Sequence, residues 1–182
     1  PRSTLFPYTT LFRSQHFGDG REFGVNIRYV EEDRPMGTAG ALGLLNDSCQ
    51  PLLIINADIL TNVDFRAMYA FHKEHQSHMT IAVKQIEIPV PYGVLEINGG
   101  GVTGIVEKPL MRHFINAGIY LLEPEACARI PHDRPYDMPD LINELVAAQK
   151  VVTAFPIREY WLDIGQIEHY QQAQDDVEKG DV

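Results

Sequence analysis

Apolar residues fall along this chain in two rhythms. "VNIRYVEE", Val25 to Glu32, alternates well enough for a strand. "GTAGALGLL", from Gly37, opens with a glycine and continues as a helix of small residues. "PLLIINAD", ending at Asp58, is nearly continuous in apolar residues, the pattern of a parallel strand covered on both faces. "NVDFRAMYAFHKEH" then places Val63, Phe65, Ala67, Met68 and Phe71 near helical spacing, with Asn62 as the expected cap. "MTIAVKQ" is the next strand. Strand, glycine-rich helix, strand, helix, strand is the order of βαβ units and predicts a parallel sheet.

The middle changes character. "YGVLEI", "NGGG" and "VTGIVEK" predict a hairpin whose glycines take the turn. "INAGIYLL" is another strand, "DMPDLINELVAAQ" a helix with Pro139 in its first turn, and "VVTAFPI" a strand. A polar helix runs from Gly165 to about Lys179. The expectation is one α/β domain with a mixed sheet.

The first fourteen residues, "PRSTLFPYTTLFRS", do not fit this pattern. They repeat TLF and contain no acid, and with ordinary codons "TLFPYTTLFRS" back-translates to something resembling a common short-read sequencing adaptor. Residues 1–14 are therefore set aside as an expected artefact, leaving residues 15–182 as the domain. The whole chain carries a formal charge of −10, and −12 once Arg2 and Arg13 are set aside. That balance argues against a general nucleic-acid surface, which needs clustered Lys and Arg. Cys49 and Cys127 fit no metal or redox spacing, which points to a reducing cytoplasm. No apolar run approaches the roughly 20 residues of a membrane helix.

Ligands in an open α/β sheet sit beyond the carboxyl ends of the strands. Asp58 is expected there, and Asp163 of "REYWLDIG" ends a second strand. Two such carboxylates suit Mg²⁺, which prefers hard oxygen ligands and keeps substrate phosphates in its shell. Helix capping is the alternative for each. "GTAGAL" offers glycine backbone for close approach to a phosphate or base, or simply a tight packing turn. In "VEKP", Glu107 and Lys108 are neighbours at a strand end and face opposite ways, so they cannot act as one ion pair. His72, His75 and His78 lack the HExxH arrangement of a zinc site. Asp137 and Asp140 flank a helix start, where capping explains them.

Taken in order, "PMGTAGAL", "NAD", "YGVLE", "VEKP", "NAGIY" and "YWLDIG" resemble the sugar-1-phosphate nucleotidyltransferases. That family includes the glucose-1-phosphate thymidylyltransferases and mannose-1-phosphate guanylyltransferases. The resemblance implies a Rossmann-like mixed, mainly parallel sheet flanked by helices. It implies a nucleoside triphosphate and a sugar-1-phosphate as partners, with Mg²⁺ on Asp58 and Asp163. By the same match Lys108 contacts the sugar phosphate, and Glu107 binds sugar hydroxyls. Gly93 and Asn116 then line the sugar pocket, and Gly37 and Thr38 lie against the nucleobase. Glu32 falls at a base-reading position. A carboxylate only accepts hydrogen bonds, and guanine offers it two donors where uracil and thymine offer one, so GTP is favoured.

The family's opening GGxGTRL loop and the lysine stretch that follows it do not occur in these 182 residues. The expectation is an inactive, poorly soluble fragment lacking the first strand and phosphate loop. Two alternatives stay open. One is a GT-A glycosyltransferase, although Asn56-Ala57-Asp58 supplies only one acid of a DxD pair. The other is a non-catalytic subunit that binds nucleotide-sugars. The sequence names neither the sugar nor the oligomeric state, and a homo-oligomer is compatible with it.

Overall fold

The computed structural model describes residues 14–45 and 50–182. Cys49 and all of the 1–14 segment except Ser14 lie outside the described residues. The elements that position the site begin with a short helix α1 (Gly37–Gly40), continued by a 3-10 turn over Ala41–Leu44. Then come β1 (Leu52–Ile55), β2 (Ile59–Thr61), α2 (Phe65–Glu74), β3 (Met79–Pro89), β4 (Val94–Asn98) and β5 (Gly101–Val106). The remainder is β6 (Leu110–Leu122), α3 (Pro124–Cys127), α4 (Met138–Ala147), β7 (Val152–Ile157), β8 (Trp161–Asp163) and α5 (Ile167–Lys179).

The main sheet has the order β1-β6-β3-β7. β6 inserts between β1 and β3 and runs antiparallel to both, while β3 and β7 are parallel. Two of the three ladders are therefore antiparallel, which corrects the mainly parallel sheet expected from βαβ order. The strand buried on both faces is β6, whose residues Ala117 to Leu122 are all buried. β1 instead lies at the sheet's edge, with Leu53 42% and Ile55 41% exposed, so it is not covered on both faces. Among the described residues Val25 to Glu32 joins no ladder. An extended segment is a strand only where a neighbour takes up its N–H and C=O groups, whatever its alternation.

Helices cover the sheet on both sides. Met138, Leu141 and Leu145 of α4 pack with Met79, Tyr120 and Leu122 on one face. Met68 of α2 packs with Ala82, Ile119, Leu121 and Ile157 on the other. β6 supplies both layers because successive strand residues face opposite ways. Asp64 caps α2, its Oδ1 accepting the N–H groups of Arg66 and Ala67 at 2.8 and 3.0 Å. That corrects Asn62 as the cap, since the helix starts two residues later. The hairpin forms as expected, with β4 and β5 joined through Asn98 to Gly101. Among the described residues no helix is long and apolar enough to cross a membrane.

One turn beyond Met68, His72 is fully buried. Glu123 can only accept, so His72 Nε2 carries the proton donated to it at 3.3 Å, and Nδ1 accepts from the Thr80 hydroxyl at 2.7 Å. Burial holds the His72 imidazole below its usual pKa, against the hydrogen bond and charge of Glu123, which raise it. Lys73 and His78 also face it and lower it. The folded state therefore binds its proton less readily than the unfolded chain. Stability is full above the unfolded histidine value and is lost as pH falls through the folded one. The urea midpoint should accordingly fall between pH 7.5 and 5.5, and His72→Gln should flatten that slope; a slope equal in both proteins would refute it.

Candidate active site

The two acids singled out from sequence come together. Asp58 sits in the turn between β1 and β2, and β2 pairs antiparallel with β8 so that Ile59 lies opposite Asp163. The Ile164 N–H donates to the Asp58 carbonyl at 2.8 Å, locking the two segments together one residue past the ladder. Gly165 marks where the side chains meet. A Cβ built on it would lie 2.9 Å from Asp163 Oδ1 and 3.3 Å from Asp58 Oδ2. The Gly165 N–H donates to Asp163 Oδ1 at 2.9 Å.

Both carboxylates are exposed, and among the described residues neither is in an ion pair. Two neighbouring anions with no cation to share leave a demand for positive charge. Hard oxygens on exactly two side chains match Mg²⁺, which takes few protein ligands and completes its shell with water and phosphate. The donor set therefore fits the metal that the family resemblance implies.

Asn116 and Gly118 lie on β6 at a register shift opposite Ile81–Val83. Asn116 Nδ2 donates to the Tyr120 hydroxyl at 2.8 Å, and its Oδ1 accepts the Gly118 N–H at 3.0 Å. The residue is thus held rigidly with its side chain at the exposed surface. Gly93 and Glu107 also meet: a Cβ at Gly93 would lie 2.9 Å from Glu107 Oε2. The missing side chain is what lets the carboxylate lie over the β4 approach.

Glu107 and Lys108 are not on a strand end, however. They form the bend between β5 and β6, and Lys108 has a φ of +46°. Strand alternation therefore does not govern them. Both are exposed and, among the described residues, neither enters an ion pair.

The glycine turn has a job of its own. The Thr38 N–H donates to Asp137 Oδ1 at 2.8 Å, and the Thr38 hydroxyl donates to the same oxygen at 3.2 Å. The N–H groups of Ala39 and Gly40 both donate to the Tyr136 carbonyl at 3.0 Å. In return the Met138 N–H donates to Thr38 Oγ1 at 2.9 Å. α1 is thus docked on the start of α4, and these donors are used inside the fold. A Cβ at Gly37 would fall 2.7 Å from Asp137 Oδ1 and from the Tyr136 carbonyl oxygen. Glu32 Oε2 accepts the Met36 N–H at 3.0 Å, pinning the entry to the turn.

Asp137 therefore does more than the expected capping, although the capping box with Asp140 is present. Nothing in the sequence pointed to its bond with Thr38, 99 positions away. The histidines of "FHKEHQSHM" scatter. His72 faces the core, His75 Nδ1 meets the Phe71 carbonyl, and His78 Nδ1 accepts the Val151 N–H. Among the described residues no group of three or more His, Cys, Asp or Glu side chains is arranged to hold a metal.

Residues 5–180 match the family model described as nucleotidyl transferase. A mannose-1-phosphate guanyltransferase from Schizosaccharomyces pombe is 33% identical over 159 residues, covering 82% of this chain and 44% of its own length. The mannose-1-phosphate guanylyltransferase catalytic subunit beta of Dictyostelium discoideum is 34% identical over 154 residues, covering 80% of this chain and 42% of its own. The chain thus spans less than half the length of these curated relatives.

Among solved structures, a Bacillus anthracis protein assigned as a glucose-1-phosphate thymidylyltransferase superposes with a TM-score of 0.69 at 24% identity, over 90% of this chain and 70% of its own. HddC from Yersinia pseudotuberculosis, solved with GMP-PN, gives 0.66 at 24% identity over 93% and 75%. These two speak for the fold alone. The family model covers nearly the whole sequence, and this chain belongs to the nucleotidyl transferase family.

Proposed function

We propose that this chain carries the sugar-phosphate and metal half of a sugar-1-phosphate nucleotidyltransferase that uses GTP. The observation that carries the reading is the meeting of Asp58 and Asp163 at Gly165, reached from two paired strands, with neither acid in an ion pair among the described residues. The guanylyltransferase relatives support GTP and a mannose-1-phosphate-like sugar. Glu32 Oε2 is taken by the Met36 N–H, which leaves one oxygen for a base, and one oxygen accepts from thymine N3–H as well as from guanine N1–H, so the relatives alone carry the choice of GTP.

Asp58 and Asp163 would hold Mg²⁺, which supplies charge neutralisation to the phosphates when bound. A sugar-1-phosphate oxygen attacks the α-phosphorus of GTP in line, and pyrophosphate leaves. Lys108, exposed on its bend, places its ammonium against the sugar phosphate. Glu107 and Asn116 orient the sugar by its hydroxyls, with Gly93 leaving the space. Gly37 and Thr38 hold the base through the shape of a turn already fixed on α4. This work is positioning and electrostatics.

The chain lacks the cationic GGxGTRL loop that would offset the charge of the leaving pyrophosphate, so we expect it to turn over nothing by itself. A chimera joining residues 15–182 to an upstream segment with that loop and its lysine stretch should release pyrophosphate from GTP and mannose-1-phosphate. It should prefer GTP over dTTP, the direction that the guanylyltransferase relatives give. Sustained release by the unmodified chain would sink the first expectation, and a dTTP preference the second.

A further inference from the structure

We propose that the kink of β6 at Asn116–Gly118 is the joint that sets the two carboxylates against each other and against Asn116, with Asn56 and Trp161 as its positioning residues. This rests on reading Asp58 and Asp163 as the metal pair. Two consecutive carbonyls of the kink each hold one acid-bearing segment. The Ala117 carbonyl accepts the Trp161 indole N–H at 2.8 Å. The Gly118 carbonyl accepts the Asn56 backbone N–H at 2.9 Å. Trp161 stands two residues before Asp163, and Asn56 two residues before Asp58.

The kink has room for this only because residue 118 is glycine. Its φ of +71° lies in the left-handed region, and a Cβ there would fall 2.8 Å from Asn56 Nδ2. Asn116 closes the loop from the other side, its Oδ1 accepting the Gly118 N–H. Exposed acids have no packing of their own to hold them, so their spacing is inherited from backbone anchored in the core. Ala117, which carries the buried side chain of the kink, is that anchor, packed with Val63, Met68 and Ile157. A sugar seated on Asn116 would thereby sit at a distance from the metal that the kink determines.

The test uses Trp161→Phe, which keeps an aromatic ring but loses the N–H, and Gly118→Ala. Val152→Ala serves as the control, since it thins the α4 side of the core away from the kink. Hydrogen–deuterium exchange at low micromolar chain, without metal, follows the peptide carrying Ile164 and Gly165. Free Mn²⁺ is counted by electron paramagnetic resonance in parallel. Both kink variants should exchange about tenfold faster in that peptide, a local opening beyond any global loss. They should bind Mn²⁺ about fivefold more weakly, the equilibrium equivalent of one net hydrogen bond. Val152→Ala should change neither. Exchange that follows global stability equally in all three would overturn the proposal. If Asp58→Asn binds Mn²⁺ as well as the unaltered chain, the metal reading fails, while the exchange result still decides the joint.

Discussion

Asp163→Asn lowers the chain's affinity for Mn²⁺ by about a hundredfold or more, because losing even an outer-shell partner costs a metal site 10–100-fold. The substitution keeps the shape of the side chain and its Oδ1, so the Gly165 N–H retains an acceptor. What disappears is one of two negative charges facing the same small space. Asp58→Asn should do the same, and the double variant little more, since the two carboxylates act as a unit. In EDTA the sign reverses: either variant removes a like-charge neighbour and should unfold at an equal or higher temperature. Counting free Mn²⁺ by paramagnetic resonance, with melting curves in EDTA, reads both. An unchanged affinity would leave the pair as two solvated acids.

Leu141→Ala should cost about 3 kcal/mol, as deletion of a fully buried leucine does when its surroundings cannot collapse. Leu141 is completely enclosed, packed with Met79, Tyr120, Leu122, Tyr136 and Leu145. Against a total of about 5–15 kcal/mol for a domain, this is a large share. The urea midpoint should fall with an unchanged slope, because the same surface is still exposed on unfolding. A loss under about 1 kcal/mol would mean that α4 repacks over the gap. Since α1 is docked on Tyr136, Asp137 and Met138, the turn at Gly37 and Thr38 should loosen along with α4.

What the sequence made legible is local. The β4–β5 hairpin follows from "NGGG", and the α4 start from Asp137 and Pro139, because each signal lies within a few residues of its effect. The sheet order was not legible. "LLIINAD" is as apolar as a central strand, yet its burial depends on what lies beside it, and the described sheet leaves its outer edge open. "INAGIYLL" holds the central place because both of its neighbours come from distant sequence.

At the site, Asp58 and Asp163 could be picked out as strand-end acids, but their meeting at Gly165 needed the β2–β8 ladder. Asn56 and Trp161 stand inside "NAD" and "YWLDIG", but neither carried a signal of its positioning contact. One acts through a backbone N–H, and the other is an aromatic beside a strand acid that reads as ordinary packing.

The insertion of β6 between β1 and β3 also dictates an order of events as the chain folds. β1, α2 and β3 follow one another in sequence but share no ladder, so they cannot close as an early unit. Among the described pairings, Leu52 meets Leu122 and Ile59 meets Asp163, each far along the chain. Pairings at such separation raise contact order and slow folding, since loop-closure entropy is spent before contacts return it. On a ribosome β1 would emerge well ahead of β6, its partner in the described sheet. The acid pair, which needs both ladders, would be among the last features to form.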